Sequence, residues 1–245
     1  MRIGILSDVH GNLEALQSTL RAIEAAGVDE LWSLGDVVGY GARPAACLAL
    51  LREHCSVLLA GNHDLVAAGA SSAEGFSRSA RIAISWTGQQ LSESEREEIR
   101  SWPSAMQQHG IGLAHGSMRD PAWEYVVEPE VARACLEEQI QQIVVVGHSH
   151  LALSWRADPE VIGGAAGVLR TDGDELEFGE RNWILNPGSV GQPRDRDPRA
   201  GWIELDLDLR TARWHRVAYD IATAQAAIRT AGLPDPLADR LGAGL

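Results

Sequence analysis

The sequence predicts an α/β fold, with a second, more antiparallel sheet in its later part. Three observations carry that reading. Short, almost unbroken apolar runs recur through the first 150 residues, as expected of strands buried on both faces. Between them lie stretches with helical periodicity and legible caps. Beyond residue 150 the pattern changes to short strands separated by turn pairs such as Asp172-Gly173, which favours antiparallel pairing.

The elements follow in order. Arg2–Leu6 is the first strand. Asn12 caps a helix from Leu13 to about Ala26, with Leu13, Leu16, Leu20 and Ile23 on one face and Gly27 just past its end. Glu30–Leu34 is the second apolar run, and Pro44 suits the first turn of a helix reaching about His54. Ser56–Ala60 is the third run. Residues 65–110 show no clear strand. A helix is expected near Ser77–Leu91, and the capping box Ser92-Glu93-Ser94-Glu95 opens another to about Trp102. This helical segment is either a lid over a site or a layer packed on the sheet. Ile111–Ala114 is a further run, and Pro129 begins a helix through Gln142 that delivers the strand ending at Val146. Strands at Trp202–Leu209 and Ala212–Ala218, a helix from Ile221 to Ala231 and a polar, proline-containing tail complete one domain over residues 1–245.

Composition excludes several classes of function. All 21 Lys+Arg residues are arginine. The absence of lysine rules out a P-loop, a lysine Schiff base and a kinase-type ATP-anchoring lysine. A net charge of −13 argues against a broad nucleic-acid footprint, but not against a small phosphorylated substrate held at a locally positive metal site. There is no apolar stretch long enough for a membrane span and no signal-peptide pattern, and the three cysteines (Cys47, Cys55, Cys135) form no C-x-x-C pair. A cytoplasmic protein with reduced cysteines is the expectation.

Chemistry-bearing residues gather just after the apolar runs: Asp8-Val9-His10, Gly35-Asp36, Gly61-Asn62-His63-Asp64, His115-Gly116 and Gly147-His148-Ser149-His150. In open α/β sheets ligands bind beyond the carboxyl ends of the strands, so one sheet can bring positions 8 to 150 together. Carboxylate, amide and imidazole ligands suit Mn²⁺, Fe or Zn²⁺. Two such ions about 3.5–4 Å apart can clamp the attacking and leaving oxygens of a displacement at phosphorus. Each residue has a plainer alternative: Asp64 is either catalytic or a turn and helix cap, and Tyr40 either stacks on a base or fills a gap between loops.

This series of motifs resembles the calcineurin-like metallophosphoesterase family, from residue 3 to about residue 194. Within it, Asn186-Pro187-Gly188-Ser189-Val190-Gly191-Gln192-Pro193-Arg194 resembles the small bacterial and archaeal phosphodiesterase branch, which is also similar to some diadenosine polyphosphate hydrolases. The resemblance implies a two-sheet β-sandwich flanked by helices. It implies that Asp8, His10 and His150 hold one metal ion, that Asp36 bridges, and that Asn62, His115 and His148 complete a second site accepting Mn, Fe, Zn or Ni. It further implies attack by a metal-bridging hydroxide, proton donation by His63 as a protonated imidazole, and substrate contacts from Ser189 and Arg194.

Two departures narrow the reading. Protein Ser/Thr phosphatases of the family follow the bridging Asp with Val-Asp-Arg-Gly, whereas Asp36 leads into Val37-Val38-Gly39-Tyr40-Gly41, and their third motif ends in Glu where Asp64 stands. A protein phosphatase is therefore disfavoured, and the partner of His63 is undefined. Three readings stand: a metal-dependent phosphodiesterase acting on a small phosphoester or nucleotide, a diadenosine polyphosphate hydrolase, and a non-catalytic metal-binding scaffold. The last is disfavoured because none of the seven expected ligands is missing.

Overall fold

The computed structural model describes residues 1–245. Its first half lays strands β1 (Arg2–Leu6), β2 (Glu30–Ser33) and β3 (Val57–Leu58) side by side in parallel, connected by helices α1 (Leu13–Ala26) and α2 (Pro44–His54). The cap reading of α1 holds at atomic level: the Asn12 side chain accepts from the Ala15 N–H, and Gly27 ends the helix in the left-handed region at φ 71°. Pro44 starts α2 as expected.

Helices α3 (Asn62–Ala67), α4 (Arg78–Gln90) and α5 (Glu93–Ser101) follow, with the Ser92/Glu95 capping box formed. Strand β4 (Ala105–Gln108) then pairs antiparallel with β5 (Ile111–Ala114). β4 corrects the expectation of no strand in residues 65–110. It is a polar edge strand, Ala-Met-Gln-Gln, with no apolar run to betray it. The helical part of that segment packs as a layer: Ala80, Ile84, Leu91 and Ile99 share a core with Leu48 and Leu51 of α2.

Helix α6 (Pro129–Glu138) is four residues shorter than its periodicity suggests. The Gln139 amide donates to the carbonyls of Gln141, Gln142 and Trp183, which offers that backbone a better partner than another helical turn. Then come β6 (Ile143–Val146), β7 (Ala152–Ala157), β8 (Ala165–Leu169), β9 (Glu175–Glu177), β10 (Trp183–Pro187), β11 (Ala200–Asp206), β12 (Thr211–Val217), α7 (Ile221–Thr230) and α8 (Asp235–Asp239), the last running into a 3₁₀ turn at Arg240–Gly242.

The strands form two mixed six-stranded sheets, ordered β3-β2-β1-β11-β12-β9 and β4-β5-β6-β10-β7-β8. The sandwich is as expected, but the later strands do not make a separate sheet: β9, β11 and β12 extend the first, and β7, β8 and β10 extend the second. Alternation explains the packing. Ile3 and Ile5 meet Val145, Leu185 and Trp214 between the sheets, whereas Val144 and Val146, one residue out of phase with Val145, face Ala132 and Leu136 of α6. Strands buried on both sides therefore read as unbroken apolar runs, and their carboxyl ends converge on one edge of the sandwich.

Candidate metal centre

Four loops leaving β1, β2, β6 and β5 meet at that edge, joined there by the start of α3. Asp8, His10, Asp36, His148 and His150 all adopt positive φ, between 49° and 63°, and they are five of the nine non-glycine residues in the chain that do so. An L-residue held in this region costs roughly 1–3 kcal/mol, and such strain collects where surrounding structure over-determines it. Backbone bonds do that here: Asp8 N–H donates to Gly35 O at 3.0 Å, His10 N–H to Asp36 O at 2.9 Å and Gly191 N–H to Asp8 O at 2.9 Å. Gly61 is required for a different reason. A Cβ there would fall 2.1 Å from Asp36 Oδ1.

The ring nitrogens show what the site could hold. His10 Nδ1 lies 3.1 Å from Val38 O, and His150 Nδ1 bonds to Gln192 O. A carbonyl can only accept, so both rings carry their proton on Nδ1. Their two Nε2 atoms, each a bare lone pair, nevertheless face one another at 3.1 Å. Beside them Asp8 Oδ1 is buried and accepts no hydrogen bond, with His150 Nε2 at 3.3 Å. Buried lone pairs converging without a proton between them are the donor set of a metal cation. Asp8, His10 and His150 form one such group, Asp36, His115 and His148 another, and His10, Asp36 and His63 a third that overlaps both.

Asp36 joins the two halves. Its Oδ1 accepts the His63 backbone N–H at 2.8 Å, while Oδ2 lies 3.6 Å from His10 Nε2 and 3.4 Å from His115 Nε2. His115 donates Nδ1 to Leu34 O and turns Nε2 toward Asn62 Oδ1 and His148 Nδ1, each at 3.2 Å. All seven residues read as ligands from the sequence are thus brought together, and all are buried.

With one exception, the charge states of the free protein are those a metal requires. Burial alone would raise the Asp8 and Asp36 carboxyls, but neighbouring histidines outweigh it and hold both well below the usual range. Burial drives His10 and His150 below their ordinary value and His148 to about 3, so these rings are neutral. His115 is the exception. Burial lowers it, but Asp36 and Asp8 overcome that and hold it up to about 9.

Three other assignments are corrected or refined. Burial lowers His63 to about 4, despite the opposing pull of Asp36, so the free protein keeps this ring neutral at physiological pH and not protonated as expected. The reason is visible. Nδ1 is buried with no hydrogen-bond partner, and Gly39, at φ 92°, lies so close that a Cβ there would be 2.5 Å away. No carboxylate replaces the one that Ser/Thr phosphatases supply, and the rings of His10, Tyr40 and Phe76 surround His63 at 4.4–4.8 Å. Asp64 is structural: burial and the charge of Asp36 push its carboxyl up to about 7, and it accepts the N–H groups of Val37, Val38 and Gly61, tying two ligand loops together. Ser189 is removed from any substrate. It is fully buried, donating to Asp8 O at 2.7 Å and accepting from Gln192 N–H at 2.8 Å.

Arg194, half-buried and bonded to Gln192 Oε1, lies close enough for its charge to act on Tyr40, Tyr125, His63 and His150. The Tyr40 ring packs on both His10 and His63, which decides its reading toward the loop-filling role. Tyr125, stacked on His148 at 3.8 Å, was not foreseen, because an isolated tyrosine in a loop carries no local signal. Gln192, whose carbonyl orients His150, stood inside a motif already singled out.

Comparison with known proteins agrees with this fold. Residues 1–208 match the model of the calcineurin-like phosphoesterase superfamily domain, and the chain belongs to that family. It is 41% identical to a metallophosphoesterase from Sphaerobacter thermophilus, whose crystal structure superposes with a TM-score of 0.90 over 100% of this chain and 99% of that one. The uncharacterized protein MJ0912 of Methanocaldococcus jannaschii is 32% identical over 99% of this chain and 98% of its own. The hypothetical protein PH1004 of Pyrococcus horikoshii OT3 shares the fold at 18% identity, with a TM-score of 0.77 over 100% of this chain and 98% of that one.

Proposed function

We propose that this protein hydrolyses a small phosphoester, of the phosphodiester or nucleotide class, with two divalent ions bound. Asp8, His10, Asp36 and His150 would hold one ion, and Asp36, Asn62, His115 and His148 the other. The observation that carries this reading is the carboxylate of Asp36, with one oxygen pinned by the His63 backbone and the other directed between His10 and His115. When bound, such ions act as Lewis acids on a phosphoryl oxygen and lower the pKa of coordinated water.

The protein's own groups do the rest. Leu34, Val38 and Gln192 carbonyls fix the tautomers of His115, His10 and His150, so that Nε2 of each is aimed inward. His63 presents Nε2 as the ring nitrogen left to meet substrate, and as a neutral imidazole it can donate one hydrogen bond to a phosphoryl or leaving oxygen. Arg194 supplies positive charge close to His63 and His150. The scaffold reading is disfavoured by an intact set of seven buried ligands.

Metal-stripped protein, reloaded with Mn²⁺, is to be assayed on bis-p-nitrophenyl phosphate beside p-nitrophenyl phosphate. Metal-dependent release of p-nitrophenol from the diester is expected. No hydrolysis of either ester, with about two ions bound per chain, would support the scaffold instead.

A further inference from the structure

Arg194 and Arg240 come from distant parts of the chain, the first from the loop before β11 and the second from the 3₁₀ turn after α8. Arg194 Nη2 and Arg240 Nη1 each donate to the same acceptor, Gln192 Oε1, at 3.1 Å, so the two nitrogens lie within twice that distance of each other. Two half-buried cations are thereby held side by side. Neither has a carboxylate within ion-pair distance, and Arg240 Nε is buried with no partner at all.

The lack of counterions does not come from a lack of acids nearby. Asp195 is engaged by Arg216, Asp197 by Arg199 and Asp239 by Arg229. In a chain of net charge −13, two adjoining, half-buried guanidiniums left without an acid are an unfavourable arrangement that an anionic ligand would relieve. Gln192 is the link to the reaction centre, because its backbone carbonyl orients His150 while its side chain holds both arginines.

The arginines are also fixed in place. Leu237, Ala238 and Leu241 bury themselves against Ala224 and Ile228 of α7, and the Arg196 N–H donates to Gly244 O at 2.9 Å. Burial and the like charge of Arg194 pull the Arg240 guanidinium below its ordinary range, the direction expected of a cation awaiting an anion.

We infer that Arg194 and Arg240 form an anion subsite beside the metal centre that takes a second phosphoryl group of the substrate, one that is not itself cleaved. This rests on the phosphoesterase reading for its place next to the reacting phosphorus, and it favours substrates carrying two or more phosphates in series. Arg194, nearer the metal residues, would meet either phosphate, whereas Arg240 would meet the distal one.

The test is calorimetric binding of AMP and of ADP to the full-length, Mg²⁺-saturated protein, comparing wild type with Arg240→Gln and Arg240→Lys. Wild type is expected to bind ADP about tenfold or more tightly than AMP. Arg240→Gln should erase that advantage while changing AMP affinity less than about twofold, and Arg240→Lys should keep part of it. Thermal unfolding of each variant shows whether the fold is intact; if Arg240→Gln unfolds at assay temperature, Arg240→Lys alone decides, by reducing the ADP advantage or leaving it whole. Equal binding of ADP and AMP by wild type, or an equal loss of both in the variants, would overturn the subsite. The two readings fail separately: an Arg240-dependent preference for ADP without diester hydrolysis would keep the subsite and reject the enzyme, and hydrolysis without that preference would do the reverse.

Discussion

Raising the pH is expected to tighten divalent-ion binding at the Asn62–His115–His148 group, and His115 sets the size of the effect. Its Nδ1 is engaged by Leu34 O, so the additional proton of the imidazolium sits on Nε2, the nitrogen aimed at Asn62 and His148. Burial would lower this histidine, but Asp36 at 3.4 Å and Asp8 beyond it hold it up to about 9. A raised pKa means that the proton stays on as pH falls below 9, and an incoming ion must expel it. Affinity therefore drops with falling pH and levels off above the pKa. From pH 9 to pH 7 the loss is about a hundredfold, or roughly 3 kcal/mol. His10, His148 and His150 are already neutral over this range and contribute no slope. Calorimetric titration of metal-stripped protein with Mn²⁺ near pH 7, in buffers of different ionisation enthalpy, should show about one proton released for the ion at this site. Replacing Asp36 by Asn removes the charge that holds the proton, and the release should vanish with it. Proton uptake, or affinity that stays flat between about pH 6.5 and 8.5, would refute the assignment of His115 as a ligand charged in the free protein.

Other substitutions separate ligands from supports. Asp36→Ala should abolish turnover and lower the bound metal measured by elemental analysis, whereas His63→Ala should slow turnover by about 10²-fold or more and retain the metal. If His63→Ala lost its metal, His63 would join His10 and Asp36 as a ligand. Gly39→Ala places a methyl 2.5 Å from His63 Nδ1 at a φ of 92°, so both Tm and kcat should fall while metal content holds. Ser189→Ala leaves Gln192 N–H without its acceptor in a buried site, and a loss of about 1–3 kcal/mol is expected by chemical denaturation.

Much of the candidate site was legible because each expected ligand lies one to four residues past the end of a short strand, most of these strands being buried on both faces. Unbroken runs such as Ile143–Val146 mark the strand, and the residues that follow are the ones the sheet must deliver to its edge. Helix ends were legible where a cap commits a specific side chain, as at Asn12 or Ser92. The ends were misread where a distant partner competes, as when Gln139 reaches the carbonyl of Trp183 and stops α6 early. β4 was missed because an edge strand with a polar face has no hydrophobic period to show.

Local spacing also says nothing about which strand lies beside which. β10 runs parallel to β6 and β11 antiparallel to β1, and neither pairing follows from turn chemistry, since both join segments far apart in the chain. The sequence by itself determined the fold class, the family it resembles and the seven candidate ligand positions that the structure brings together, because these depend on short-range patterns of burial and residue type. Only the tertiary structure decided the surroundings of His63, Asp64, Ser189 and Arg240. A protonation state, a buried hydroxyl or an unpaired guanidinium is set by which groups from distant segments surround it, and that surrounding exists only once both sheets and the last helix have closed.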